Sequence, residues 1–139
     1  MEKSIIQVIP SFEGGGAESL VRNMHELYLM EGVNCYYVCF SGEIPKGMEN
    51  AESLNSSARS PFALLKLLLF VYRYKKKNGK IDIFHAHLFP AQLYVAFLKV
   101  LTRMDVVLVS TEHSSNNRRR ASVVGKFVDA WLYRQYAII

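Results

Sequence analysis

Cysteine is scarce in this chain: there are two in 139 residues, Cys35 and Cys39. Two thiols build neither a disulfide framework nor a four-cysteine zinc site. Long apolar runs are missing as well. The longest, residues 61–72, is broken by Lys66 and falls far short of the ~20 residues that span a bilayer. The N-terminus, Met1-Glu2-Lys3-Ser4-Ile5-Ile6, has no apolar core and no cleavage site of the signal-peptide kind. No segment repeats at a fixed period. Acidic residues thin out along the chain. Residues 1–60 carry four basic and eight acidic side chains, whereas residues 61–139 carry thirteen basic and only four acidic. The second half therefore faces, or at least tolerates, an anionic partner. With 50% apolar and 21% charged residues the composition is that of a globular chain, long enough for one domain with a real core. We expect a reduced, cytoplasmic domain covering residues 1–139.

Elements alternate along the chain. Residues 4–9 are β-rich and closed by Pro10, and Gly14-Gly15-Gly16 marks a turn. Residues 17–30 carry apolar side chains at helical spacing (Ala17, Leu20, Val21, Met24, Leu27, Tyr28), with Gly32 placed as a helix-ending glycine. Residues 33–40 read as a second strand. Residues 41–60 are polar and read as a loop with one short edge strand near Leu54. Ser60 and Pro61 suit the cap and first position of a helix running to about Asn78 and Gly79. A strand over 81–85, a helix over 89–103, a strand over 106–111, a loop over 114–117, a helix over 118–135 and a strand beginning at 136–139 complete the order. Short strands apolar on both faces, alternating with helices, predict a three-layer α/β fold. Its sheet is doubly wound, mostly parallel and Rossmann-like, with helices on both faces. Ligands of such sheets sit at the carboxyl ends of the strands. The segments 10–16, 41–42, 85–90 and 112–117 are therefore the candidates.

Each candidate carries two readings. Gly14-Gly15-Gly16 precedes a helix N-terminus, where free amides and the helix dipole hold anions; it also suits a tight turn that needs positive φ. Ser19 replaces the third glycine of the dinucleotide fingerprint and Ser41 follows the second strand where an acid belongs, which disfavours a nicotinamide enzyme. His85 and His87 point the same way from one strand, and His113 is the other strand-end imidazole. The set is thin for a metal, and we expect one buried histidine and one at the ligand cleft. His25 reads as structural. Glu112 and His113 can orient a ligand hydroxyl or exchange its proton, or bond their own loop. Arg118, Arg119 and Arg120 stand at a helix start, where the dipole does not favour cations. They fit phosphate, or form a solvated charge run. Residues 62–80 join leucines to Arg73, Lys75, Lys76, Lys77 and Lys80. Such letters suit a helix on an anionic membrane, or a helix packed on the sheet with a charged end. Cys35 and Cys39 share one strand face and belong to the core. The basic residues lack interleaved stacking aromatics in a recognisable nucleic-acid motif, which argues against nucleic acid.

With these pieces placed, the chain resembles the N-terminal domain of family 4 glycosyltransferases of the GT-B fold. The resemblance is carried by Gly15-Gly16-Ala17-Glu18 after the first strand, by Asp82-Ile83-Phe84-His85-Ala86-His87-Leu88-Phe89-Pro90, and by Ser110-Thr111-Glu112-His113 with Asn117-Arg118-Arg119-Arg120. It spans nearly the whole chain. It implies one half of a two-domain enzyme whose active site lies in the cleft between domains. This half binds a glycan or lipid-linked acceptor, as in bacterial surface polysaccharide synthesis. A second domain, absent from these 139 residues, binds the nucleotide-sugar donor and carries the E-x₇-E motif. Transfer retains anomeric configuration and uses no metal or other cofactor. The resemblance assigns Gly15 and Gly16 to the donor phosphates, His113 to the reacting centre and His87 to the acceptor side; beside it, Glu112 is expected to help His113 orient the acceptor and the sugar, and Arg118, Arg119 and Arg120 suit the acceptor's pyrophosphate. Without a donor domain the 139 residues should not catalyse transfer. The competing expectation is a non-catalytic Rossmann-like module that holds a phosphorylated ligand or docks on the inner face of a membrane through Lys75, Lys76 and Lys77.

Overall fold

A computed structural model describes residues 2–113 and 121–138. Five strands form one sheet: β1 (Ser4–Ser11), β2 (Asn34–Ser41), β3 (Ala51–Ser53), β4 (Ile83–His87) and β5 (Val107–Thr111). Their order is β3-β2-β1-β4-β5, and every pairing is parallel. The chain moves outward from β1 to β3, returns, and moves outward again through β4 and β5. The winding therefore reverses between β1 and β4, the point at whose carboxyl edge such sheets bind ligands. Four helices cover the sheet: α1 (Gly16–Met30), α2 (Ala63–Asn78), α3 (Ala91–Thr102) and α4 (Val123–Gln135). The doubly wound Rossmann-like layering expected from the alternation is present.

Strand alternation sorts the two cores. Ile6 and Val8 of β1, Val38 and Phe40 of β2, Phe84 and Ala86 of β4 and Leu108 of β5 face one way. They pack with Leu67 and Phe70 of α2, Val95 of α3 and Leu132 of α4. On the opposite face Ile9, Tyr37 and Cys39 pack with Val21 of α1. Three helices thus lie over one face and α1 over the other. Both cysteines are buried and unpaired, as core residues, and burial raises both thiol pKa values.

Boundaries depart from the sequence reading where side chains intervene. β1 continues through Pro10 to Ser11, because that proline sits near the strand end where one missing amide costs little. β4 starts at Ile83 instead of residue 81. Asp82 spends its carboxylate on the Ser4 amide (3.0 Å), and the regular ladder begins one residue later. The helix expected from Pro61 begins at Ala63, with the Ser60 hydroxyl accepting from the Phe62 amide in the turn before it. The helix expected from residue 118 begins at Val123, because Ser122 is extended and caps it by accepting from the Gly125 amide (2.9 Å). The other ends move by a residue or two: α1 starts at Gly16, β2 runs over Asn34–Ser41, α3 over Ala91–Thr102 and β5 from Val107. The edge strand expected near Leu54 is β3. Gly32 ends α1 at φ 73°, with the Gly32 and Val33 amides donating to the carbonyls of Leu29 and Tyr28. Within α1 the buried residues are Val21 and His25, while Leu20 and Leu27 are exposed. Ile138 pairs in parallel with Val109, as expected for a strand beginning there. No helix among the described residues is long and apolar enough to cross a membrane.

Candidate functional site

The α1 face of the sheet changes character toward β4 and β5. Cys35, Gln7, His85, His87 and Thr111 follow one another across four strands on this one face. Gln7 and His87 have no exposed surface, and His85 is 9% exposed. Buried polar groups need partners, and these have them. Gln7 Nε2 donates to Cys35 Sγ (3.4 Å), and Gln7 Oε1 lies 3.2 Å from His87 Nε2. His87 Nδ1 meets His113 Nε2 at 3.3 Å. His85 Nε2 bonds Thr111 Oγ1 at 2.8 Å. The rings form a tilted stack, with centroids 4.0 Å apart for His85 and His87 and 5.6 Å for His87 and His113.

Burial sets the charge of this stack. It lowers the His87 pKa to about 3, with the neighbouring His85 and His113 adding to the shift. It lowers His85 to about 4, with His113 adding. Both rings are neutral at physiological pH. The expectation of one buried and one cleft-facing histidine within the His-Ala-His segment is corrected. Both are buried, because the strand extends to His87, and the partly exposed imidazole is His113. His87, expected on the acceptor side, has both nitrogens engaged by protein and no surface for an acceptor. Its effect on a ligand passes through His113. Among the described residues no cluster of three or more His, Cys, Asp or Glu is arranged to hold a metal.

The glycine loop opens from the end of β1. Arg22 braces its base, donating to the Phe12 carbonyl (2.9 Å) and the Ser19 hydroxyl (3.1 Å), with its guanidinium 4.8 Å above the Phe12 ring. Gly14, Gly15 and Gly16 do not adopt positive φ, so the tight-turn reading of these glycines fails. A Cβ at Gly14 would meet only the carboxylate end of the flexible Glu18 side chain, which can move aside. Beside Gly15 and Gly16 the space is open, and Gly15 caps α1 without a side-chain acceptor. A phosphate can approach such a backbone closely.

Glu112 follows β5 and accepts from the Tyr133 hydroxyl of α4. Its carboxylate is thereby tied to an element on the other side of the strand. Gln92 of α3 donates to Ser110 Oγ (2.5 Å) and its carbonyl accepts from Tyr136 (2.7 Å), which fixes the segment leading into the site. Arg118, Arg119 and Arg120 lie outside the described residues. His25 is fully buried, with Nε2 bonded to the Glu49 carbonyl (2.9 Å), as a structural histidine. A groove of about 700 Å³ lies between α1 and the loop after β2, lined by Arg22, His25, Met30 and Met48, away from the imidazole stack. The sequence reading missed Gln7. Its signal is a lone amide inside an apolar run destined for the centre of a sheet.

A parallel, doubly wound sheet that brings imidazoles, a carboxylate and an open glycine loop to its carboxyl edge defines a ligand-binding domain of the Rossmann-like class. The chain matches Glycosyltransferase Family 4 over residues 14–139 and belongs to that family. The match begins at the glycine loop and includes every site residue above except Gln7 and Phe12. A comparison with curated proteins gives no match. The domain is thus a glycosyltransferase domain, made for sugar donors and acceptors.

Proposed function

We propose that this domain is the acceptor side of a retaining glycosyltransferase, which moves a sugar from a nucleotide-sugar donor to a glycan or lipid-linked acceptor of a bacterial surface polysaccharide. One observation carries the reading. His113 is partly exposed just after β5 and is backed by a buried, neutral imidazole, an arrangement suited to orienting a sugar hydroxyl. Glu112, tethered through Tyr133, is suited to a second hydroxyl. The open backbone of Gly15 and Gly16 suits the donor diphosphate. A second α/β domain brings the donor and the cations that neutralise its leaving group. Catalysis is then positioning and charge stabilisation, with neither metal nor other cofactor. In the full-length enzyme His113→Ala should lower turnover about a hundredfold or more while leaving the fold intact. Near-normal turnover by that variant would reject the role.

A second reading rests on α2. Its outward face carries Phe62, Leu65, Leu69 and Tyr72, all at least half exposed, beside the cations of its last turn, Lys75, Lys76 and Lys77. A helix with this outer face suits the anionic surface of a cytoplasmic leaflet. The two readings are compatible, since a lipid-linked acceptor lies at such a surface.

A further inference from the structure

A line of buried polar side chains crosses the sheet from β2 to the end of β5 and terminates at His113. Its direction follows from the orientation of the Gln7 amide. Gln7 has one end that only donates and one that only accepts. Nε2 faces Cys35 Sγ at 3.4 Å, so Oε1 faces His87 Nε2 at 3.2 Å and accepts from it. His87 therefore carries its proton on Nε2. Its burial keeps it neutral, so Nδ1 holds only a lone pair. That lone pair lies 3.3 Å from His113 Nε2, which must donate. In a neutral His113 the other nitrogen, Nδ1, is then left as an acceptor. Reversing the Gln7 amide would invert every step and leave His113 Nδ1 as a donor.

We propose that Gln7 is a positioning residue: through His87 it fixes His113 in the tautomer protonated on Nε2, so that Nδ1 is presented to a substrate hydroxyl as an acceptor. The consequence for catalysis rests on the role given to His113 above. The tautomer itself does not, and it is measurable in this chain alone.

The test is the long-range proton–nitrogen correlation pattern of the imidazoles in the ¹⁵N-histidine-labelled chain at about pH 8, above the ordinary histidine range. His87 and His113 should both carry their proton on Nε2. Gln7→Leu and the length-matched Gln7→Met should leave His113 a mixture of tautomers, with cooperative unfolding retained. A wild-type His113 protonated on Nδ1 overturns the proposal, and so does an unchanged His113 pattern in either folded variant. The wild-type spectrum decides the direction of the relay even where neither variant folds. In the full-length enzyme Gln7→Met should lower kcat about tenfold with KM unchanged, the signature of a misdirected imidazole. If the tautomer moves and kcat does not, the role of His113 in transfer fails and the relay stands.

Discussion

Two imidazoles that stay neutral well into the acid range in the folded state make acid a specific threat. Unfolded, His85 and His87 take up protons near the ordinary value of about 6.5. Folded, they resist protonation down to about 4 and about 3, chiefly because they are buried. Below pH 6.5 the unfolded chain binds more protons than the folded one, so stability falls with pH. The contribution is intact above about 6.5 and is lost progressively toward the folded values, about 2 kcal/mol per imidazole between pH 6.5 and 5. Urea midpoints at pH 7.5 and pH 5 should show this loss, and His85→Asn should reduce it. Equal midpoints at the two pH values would contradict the burial of these rings. The histidines themselves were legible, since their spacing placed them on one strand face. Gln7 was not, because alternation shows which side chains share a face and says nothing about which of them bond across three strands.

Gly42 ties two elements together. It stands directly after β2 at φ 99°, and an added Cβ would lie 2.8 Å from the Phe12 Cβ and 3.2 Å from the Phe12 amide nitrogen. The Phe12 amide in turn donates to the Ser41 carbonyl (2.9 Å), which joins the end of β1 to the end of β2. Gly42→Ala meets both a left-handed backbone and a backbone neighbour, and should cost about 1–3 kcal/mol in chemical denaturation. A loss below a few tenths of a kcal/mol would show that the junction yields. Element types were readable from composition and period for every strand and helix described. Their ends were less so, because local side chains set them: Asp82 delays β4, and Ser122 delays α4. Apolar spacing identified α1 as a helix without settling burial, since Leu20 and Leu27 follow the helical stripe yet stay exposed. A stripe records which residues share a side of the helix, and the packed sheet selects only part of it.

At the scale of the molecule, charge and apolar exposure gather on one layer. α2, α3 and α4 together carry eight basic residues and one acidic residue, Asp129, which is buried. The same helices expose Tyr72, Leu101 and Phe127. The sequence left open whether residues 62–80 serve the core or an anionic surface. Their inner residues, among them Leu67, Phe70 and Tyr74, do pack on the sheet, yet the outer residues remain apolar. The chain should therefore co-sediment with phosphatidylglycerol vesicles and release at high salt. Each cation near such a surface is worth about 1 kcal/mol, so neutralising Lys75, Lys76 and Lys77 to Gln should weaken binding roughly a hundredfold. Equal pelleting with neutral and anionic vesicles, or none with either, would reject this surface. The sheet order was legible in outline, because alternating strands and helices imply parallel winding. The position of the reversal was not, since adjacency of β1 and β4 is a long-range choice.

That adjacency has a cost in time. The Ser4 amide waits for the Asp82 carboxylate, 78 residues further along the chain. At about 5–20 residues per second, a ribosome needs roughly 4–16 seconds to supply it. During that interval β1 can pair with β2 on one side only, and its other edge offers unsatisfied amides and carbonyls to any neighbouring nascent chain. The strand at the centre of the finished sheet is thus the most vulnerable edge of the unfinished one, and Gln7, later the pivot of the imidazole line, spends those seconds without its histidine.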